Sequence, residues 1–361
     1  MDEILGAKQG DPRYVPALDG VRAIAVLSVF LLHLARDRVP GGAFGVDVFF
    51  VLSAFLITSL LIDEFDAHGR VDFVAFYWRR AFRLLPALLL WLVFASITAV
   101  LGGDAHRVPL SAAGALFYVS DFLQAWTDLV ANAFDQAWSL SVEEQFYFVW
   151  PALLVLVLLR CPPRQRRWIL GIAVPAAAVV AFTRPNYFLP TGHLLPLVIG
   201  CWAADQRARG LSPWIASIAR SPWTGYVALA IFTAAALLAL PPLLGAGMFV
   251  LIAIATAALL LHLTNPGTTG VGRLLGSAVP RWIGARSYGV YLYGLTMMGF
   301  VGALFPGITL RFAAPLDVAL TLIVVALSYR LVESPVRRAG RAWLRRRRGE
   351  SGASAPALTS P

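Results

Sequence analysis

Charge is scarce in this chain. Only 14% of its 361 residues are Asp, Glu, Lys or Arg while 58% are apolar, and its mean hydropathy is +0.71. Soluble domains carry roughly a quarter charged residues, so an ordinary water-surrounded globule is excluded. Cysteine is nearly absent: Cys161 and Cys201 stand far apart, neither beside a His or Asp. That excludes a disulfide framework and any zinc-type ligand spacing, so no bound metal is expected. Three glycine signatures are missing too, namely the dinucleotide fingerprint, the phosphate-cradling loop and the Gly-x-Ser-x-Gly nucleophile turn. Nor is there an internal repeat of the kind common in transporters.

Long apolar stretches take the place of these features. About ten can be read, near 17–36, 44–63, 84–102, 138–159, 168–183, 188–204, 223–240, 243–263, 287–305 and 312–332. Each is close to the ~20 residues that span a bilayer core. The weaker segment 110–125, broken by Ser and Asp, reads as re-entrant or interfacial. The expected fold is therefore all-α, a polytopic membrane bundle of about ten transmembrane helices. Loop charge orients it: with the N-terminus inside, only Arg36, Arg38, Arg107, Arg184 and Arg311 of the 30 Lys and Arg residues fall outside. Both termini are then cytoplasmic. The expected division is a cytoplasmic segment 1–15, a membrane domain 16–338 and a basic, then disordered tail 339–361. The net charge of +10 is topology signal in this reading and calls for no nucleic-acid partner. Arg22 and His33 interrupt the first span and no small-residue cleavage site follows it, so it is not expected to be a cleaved signal peptide.

Ionisable groups inside such spans are costly and usually functional. Arg22 and His33 lie eleven positions apart, within about 20° of one helix face and about 16 Å along the axis. Asp47, in Gly45-Val-Asp47-Val-Phe-Phe-Val-Leu-Ser53, sits just inside the second span, where it either caps the helix or serves the chemistry. Arg80 and Arg83 stand three apart at the entrance of the third span, adjacent on a helix surface and suited to bidentate phosphate recognition, or to anchoring alone. In Trp138-Ser-Leu-Ser141-Val-Glu143-Glu144-Gln145, Ser141 and Glu144 fit a capping box. Glu143 has no such explanation, and its expected depth resembles that of His33, whose tautomer a carboxylate would hold. Arg330 and Glu333 are expected to pair and to end the last helix before Pro335.

Five pieces in order resemble the acyltransferase-3 family, the bacterial integral-membrane O-acyltransferases, from about Pro16 to Arg338. They are Leu18-Asp-Gly-Val-Arg22 with His33, Gly45 to Ser53, Phe76 to Pro86, Trp138 to Tyr147, and Arg330-Leu-Val-Glu333. The resemblance implies transfer of an acetyl or other short acyl group from acyl-CoA, a co-substrate rather than a bound cofactor. The implied acceptor is a hydroxyl on a sugar of a surface polysaccharide or glycolipid, or on a small glycosylated metabolite. It further implies that Arg22, Arg80 and Arg83 hold the donor, that His33 is the base with Glu143 beside it and Asp47 in reserve, and that the protein is a multi-pass cell-membrane enzyme. A proton-coupled transporter or flippase would also use intramembrane His, Asp and Glu, but would not need paired arginines at the cytoplasmic mouth. The chain departs from the family pattern at Ala54, where glycine is usual, at Gly294, where histidine is usual, and at His193 and Leu195, where relatives often carry an Arg and an acidic residue.

Overall fold

The computed structural model describes residues 14–156, 158–183, 186–238, 242–265, 267 and 270–347, and among them every regular element is helical. The α-helices run α1 Pro16–Leu34, α2 Phe44–His68, α3 Phe73–Leu101, α4 Val108–Leu116, α5 Ser120–Trp126, α6 Ala137–Leu156, α7 Pro163–Thr183 and α8 Leu194–Arg209. They continue α9 Pro213–Arg220, α10 Trp223–Leu237, α11 Pro242–Leu263, α12 Gly270–Leu275, α13 Ala278–Ala285, α14 Ser287–Leu304, α15 Leu310–Ser328 and α16 Ser334–Arg347. Each apolar stretch overlaps one of these helices, although 188–204 begins six residues before α8, and residues 157, 239 and 240 lie outside the described residues. Among the described residues, six helical stretches, 16–34, 44–68, 73–101, 132–160, 164–183 and 310–347, are long and apolar enough to cross a membrane. Segment 110–125 forms α4 and α5, separated by a turn at Tyr118, a non-glycine residue with φ of 56°.

Local chemistry sets the ends that matter for function. Gly69 closes α2 in a left-handed conformation, its N–H donating to the Phe65 carbonyl at 2.7 Å. Asp72 then starts α3 by accepting from the Ala75 N–H at 2.9 Å. Because α3 begins at Phe73 and not with its apolar stretch at 84, Arg80 and Arg83 lie about two and three turns inside the helix. They still directly precede the apolar stretch that begins at 84.

α2 forms the centre, buried along most of its length. Val48, Val51, Leu52 and Phe55 pack with Leu195, Ile199 and Ala203 of α8, while Phe50, Ile57 and Leu61 face Trp150 and Leu154 of α6. Glycine lets these backbones meet: a Cβ on Gly200 of α8 would stand 2.4 Å from the Val51 carbonyl oxygen. A fully buried ion pair, Arg166 Nε to Asp205 Oδ1 at 2.7 Å, joins α7 to α8.

The end of the chain differs from expectation. α15 does not stop before Pro335 but passes through a π-helical turn, Tyr329–Glu333, into α16. Pro335 falls at the second position of α16, directly after the π turn. Glu333 pairs with Arg337 at 2.7 Å, one turn on, and not with Arg330, because the wide π turn spoils the three-residue register between them. The expected boundary at 338/339 lies inside α16. Of the expected disordered tail, residues 348–361 lie outside the described residues, as do residues 1–13 of the N-terminal segment.

Candidate active site

A small cavity gathers most of the residues singled out in the sequence. Its walls include Arg22 of α1, Ser53 of α2, Arg80 and Arg83 of α3, Glu143, Glu144 and Tyr147 of α6, and Tyr288 and Tyr291 of α14. Arg22 is buried and bonds Asp19 Oδ1 at 3.1 Å, and Asp19 also accepts from the Tyr14 hydroxyl at 2.9 Å. Arg80 reaches Glu144 with two donors, Nε at 2.9 Å and Nη2 at 2.5 Å, and its guanidinium lies 3.2 Å over the Tyr147 ring. Glu143 Oε1 accepts hydrogen bonds from both Ser53 and Tyr147. Tyr291 meets Ser139 Oγ at 2.5 Å.

The capping box is not formed. α6 already begins at Ala137, so the Ser141 hydroxyl bonds backward to the Ala137 carbonyl and accepts from the Ser120 N–H, which leaves Glu144 to Arg80. Nor does Glu143 partner His33. Glu143 sits well inside α6, while His33 occupies the last turn of α1, is exposed, and sends Nδ1 to the Val29 carbonyl at 2.8 Å. Since a carbonyl can only accept, Nδ1 is the donor in this bond, which lies within α1 itself.

Asp47 belongs to a second cavity of about 570 Å³ at the C-terminal end of α1, lined also by Arg36, Phe44, Tyr187, His193 and Phe249. It is buried, and its Oδ1 meets His193 Nδ1 at 3.1 Å. Phe50, in the wall of the first cavity, packs 5.0 Å from the His193 ring. One aromatic side chain thus lies between the two spaces.

Three arginines and two glutamates around one space suit recognition of an anionic group. A family model described as an acyltransferase domain matches residues 15–332. The chain belongs to the acyltransferase-3 family. A Staphylococcus aureus (strain COL) protein provisionally named an O-acetyltransferase is 31% identical over an alignment of 353 positions that covers 91% of this chain and 58% of that protein. The O-acetyltransferase OatA of Staphylococcus aureus (strain NCTC 8325 / PS 47) is 29% identical over an alignment of 362 positions that covers 92% of this chain and 59% of that protein. This acyltransferase-family chain therefore spans about 58% of the length of the curated relatives it matches. No solved structure matches it.

Within the family's matching pieces, sequence reasoning named Arg22, Arg80, Arg83 and Glu143 and missed their supports. Asp19 was signalled by its position three residues before Arg22, and Tyr147 by its position four after Glu143. Ser53 carried no such local sign, because its partner Glu143 is distant in sequence, and the Tyr288 hydroxyl has no hydrogen-bond partner among the described residues.

Proposed function

We propose that this acyltransferase-family protein is a multi-pass cell-membrane O-acyltransferase, with ten spans and both termini cytoplasmic. It moves an acetyl or other short acyl group from cytoplasmic acyl-CoA to a hydroxyl of a sugar in a surface polysaccharide or glycolipid. The observation that carries this reading is the convergence of Arg22, Arg80, Arg83 and Glu143, from three helices, on one cavity in a chain of this family.

The donor's phosphates are held at Arg80 and Arg83, with Arg22 nearby. The first cavity is about 70 Å³, room for a few water molecules, whereas a ligand of this kind occupies several hundred. Binding therefore requires Arg80 to exchange Glu144 for phosphate oxygens, which widens the space as the pair parts. The pantetheine arm, of order 15–20 Å, matches the ~16 Å along α1 from Arg22 to His33. There His33 Nε2 takes the proton of the acceptor hydroxyl, and the oxygen attacks the thioester carbonyl carbon. The C–S bond breaks, and the CoA thiolate takes the proton from the imidazolium. Glu143, fixed by Ser53 and Tyr147, places negative charge beside the arginines instead of orienting the base.

The test is transfer from radiolabelled acetyl-CoA by the full chain in lipid nanodiscs, against a panel of glycans and glycosides. Label appearing on a hydroxyl as an alkali-labile ester is the expected result. Acetyl-CoA that is neither bound nor consumed would end the proposal.

A further inference from the structure

A third cavity, an open groove of about 780 Å³, lies between the start of α7 and the end of α8 and shares no residue with the two spaces above. It is lined by Arg164, Arg167, Trp168 and Gly171 of α7 with Ala208 and Arg209, and no carboxylate is among them. The four α7 residues are spaced three and four apart, so they share one face of the helix. The walls are fixed from behind: buried Arg166 bonds Asp205 at 2.7 Å, and Arg209 reaches the same carboxylate at 3.3 Å. One carboxylate thus serves two guanidinium groups, and the next acidic group, Asp66, is 4.0 Å from Arg209. Arg167 donates to the backbone carbonyls of Arg209 and Gly210, both at a long 3.4 Å, and Arg164 has no partner among the described residues. The groove therefore carries positive charge that the protein leaves unanswered.

Toward the middle of α7 the same side of the helix turns apolar. Trp168, Ile172, Pro175 and Val179 follow one another at steps of four, three and four, and all are exposed. From Trp168 to Val179 the stripe runs about 16 Å, close to half of the ~30 Å hydrocarbon core of a bilayer. That length decides between two sources of an anionic group: a free phosphate would use the arginines and leave the stripe bare, whereas a phospholipid uses both. A zwitterionic headgroup brings its own cation to a groove already rich in them, so an anionic one fits better. We propose that the groove is a binding site for an anionic phospholipid of the phosphatidylglycerol class. Its phosphate is held by Arg164 and Arg167, its glycerol region rests on Trp168, and an acyl chain follows the stripe to Val179. Gly171 keeps the groove open, since a Cβ there would meet nothing within 4 Å. Arg207 with Asp63, at 2.8 Å, ties this end of α8 to the end of α2, so the site belongs to the end of the bundle from which α3 starts. The binding does not depend on the acyltransferase chemistry proposed above.

The experiment is native mass spectrometry of the full chain released from neutral detergent micelles, titrated with dioleoyl phosphatidylglycerol or dioleoyl phosphatidylcholine, with the affinity of the first bound lipid as the readout. The wild type is expected to hold phosphatidylglycerol about tenfold or more tightly than phosphatidylcholine. Arg164→Gln with Arg167→Gln lowers phosphatidylglycerol affinity about tenfold or more, whereas Arg345→Gln with Arg346→Gln, which takes the same charge from exposed positions of α16, leaves it within about twofold. Gly171→Trp keeps every charge but fills the groove, so it lowers the affinity to a similar degree, and it decides the matter should the arginine variant not insert. The proposal is overturned by equal affinity for the two lipids, by equal losses in the two arginine pairs, or by Gly171→Trp leaving the preference intact. Displacement of the lipid by millimolar glycerol 3-phosphate would make the occupant a free phosphate and overturn it too, as would a chain that dimerises through this face and takes no lipid.

Discussion

Arg80 and Glu144 meet through two hydrogen bonds, at 2.9 and 2.5 Å, with side chains only 13% and 12% exposed. Removing one partner of a buried ion pair strands the other's charge and costs about 3–5 kcal/mol, whereas losing a helix cap costs about 0.5–2 kcal/mol. The two roles of Glu144 are thus separable by magnitude. Glu144→Ala is expected to cost about 3 kcal/mol, the lower bound because both groups keep some contact with solvent, and Arg80→Ala a similar amount. The double variant should cost less than the sum by roughly 1–3 kcal/mol, since neither charge is then left alone. In unfolding temperature each single change is worth on the order of 5 °C or more. The assay uses a thiol-reactive dye in detergent micelles, with Cys161→Ser as background, so that the buried Cys201 reports unfolding. A Glu144→Ala cost within 1 kcal/mol, or costs that simply add, would refute the pairing as a stabilising contact and with it the account of how the cavity opens.

Three further outcomes are expected. Arg80→Lys combined with Arg83→Lys should weaken acetyl-CoA binding about tenfold or more, because ammonium groups do not reproduce the planar fork; unchanged affinity in a direct binding assay returns these residues to topology. His33→Gln should keep donor binding and lose transfer by about 10²–10⁴, the range for loss of a general base, and near-normal rates with a normal pH profile would make His33 a packing residue. Gly284→Ala would place a Cβ 1.8 Å from the Asp19 carbonyl oxygen, so α13 must move away from α1. The expected cost is about 1–3 kcal/mol with weakened donor binding through Arg22, and an unshifted melting curve contradicts that close contact.

Apolar length was readable from the sequence because lipid-facing and core-facing positions in a membrane bundle are both apolar. Every predicted stretch therefore overlaps a helix among the described residues. Function was readable where an ionisable group lacked a local excuse, and Arg22, Arg80, Arg83 and Glu143 do line one cavity. The reasoning failed where a local excuse was available but untrue. Glu144 fitted a capping box until the helix was found to begin at Ala137. The pairing of Asp47 with His193 joins residues 146 positions apart, and nothing in either neighbourhood announces the other. His33 was given a distant carboxylate when its own Val29 carbonyl suffices.

The π turn at Tyr329–Glu333 carries about one residue more than an α turn would, so it works as a phase shift inside an otherwise continuous rod. Everything C-terminal to it is clocked by about 100° relative to an uninterrupted helix. That rotation brings Gly340 against the Phe82 ring, where no side chain would fit, and so sets the docking of the arginine-rich helix on α3. Leu331, 67% exposed, can change identity at little cost. Deleting it would not be equivalent: the shortened rod would rotate Gly340 away from Phe82, turn Arg337 off the bundle, and carry the basic terminus to a different side of the molecule. In this stretch the chain's length is specified more tightly than its composition.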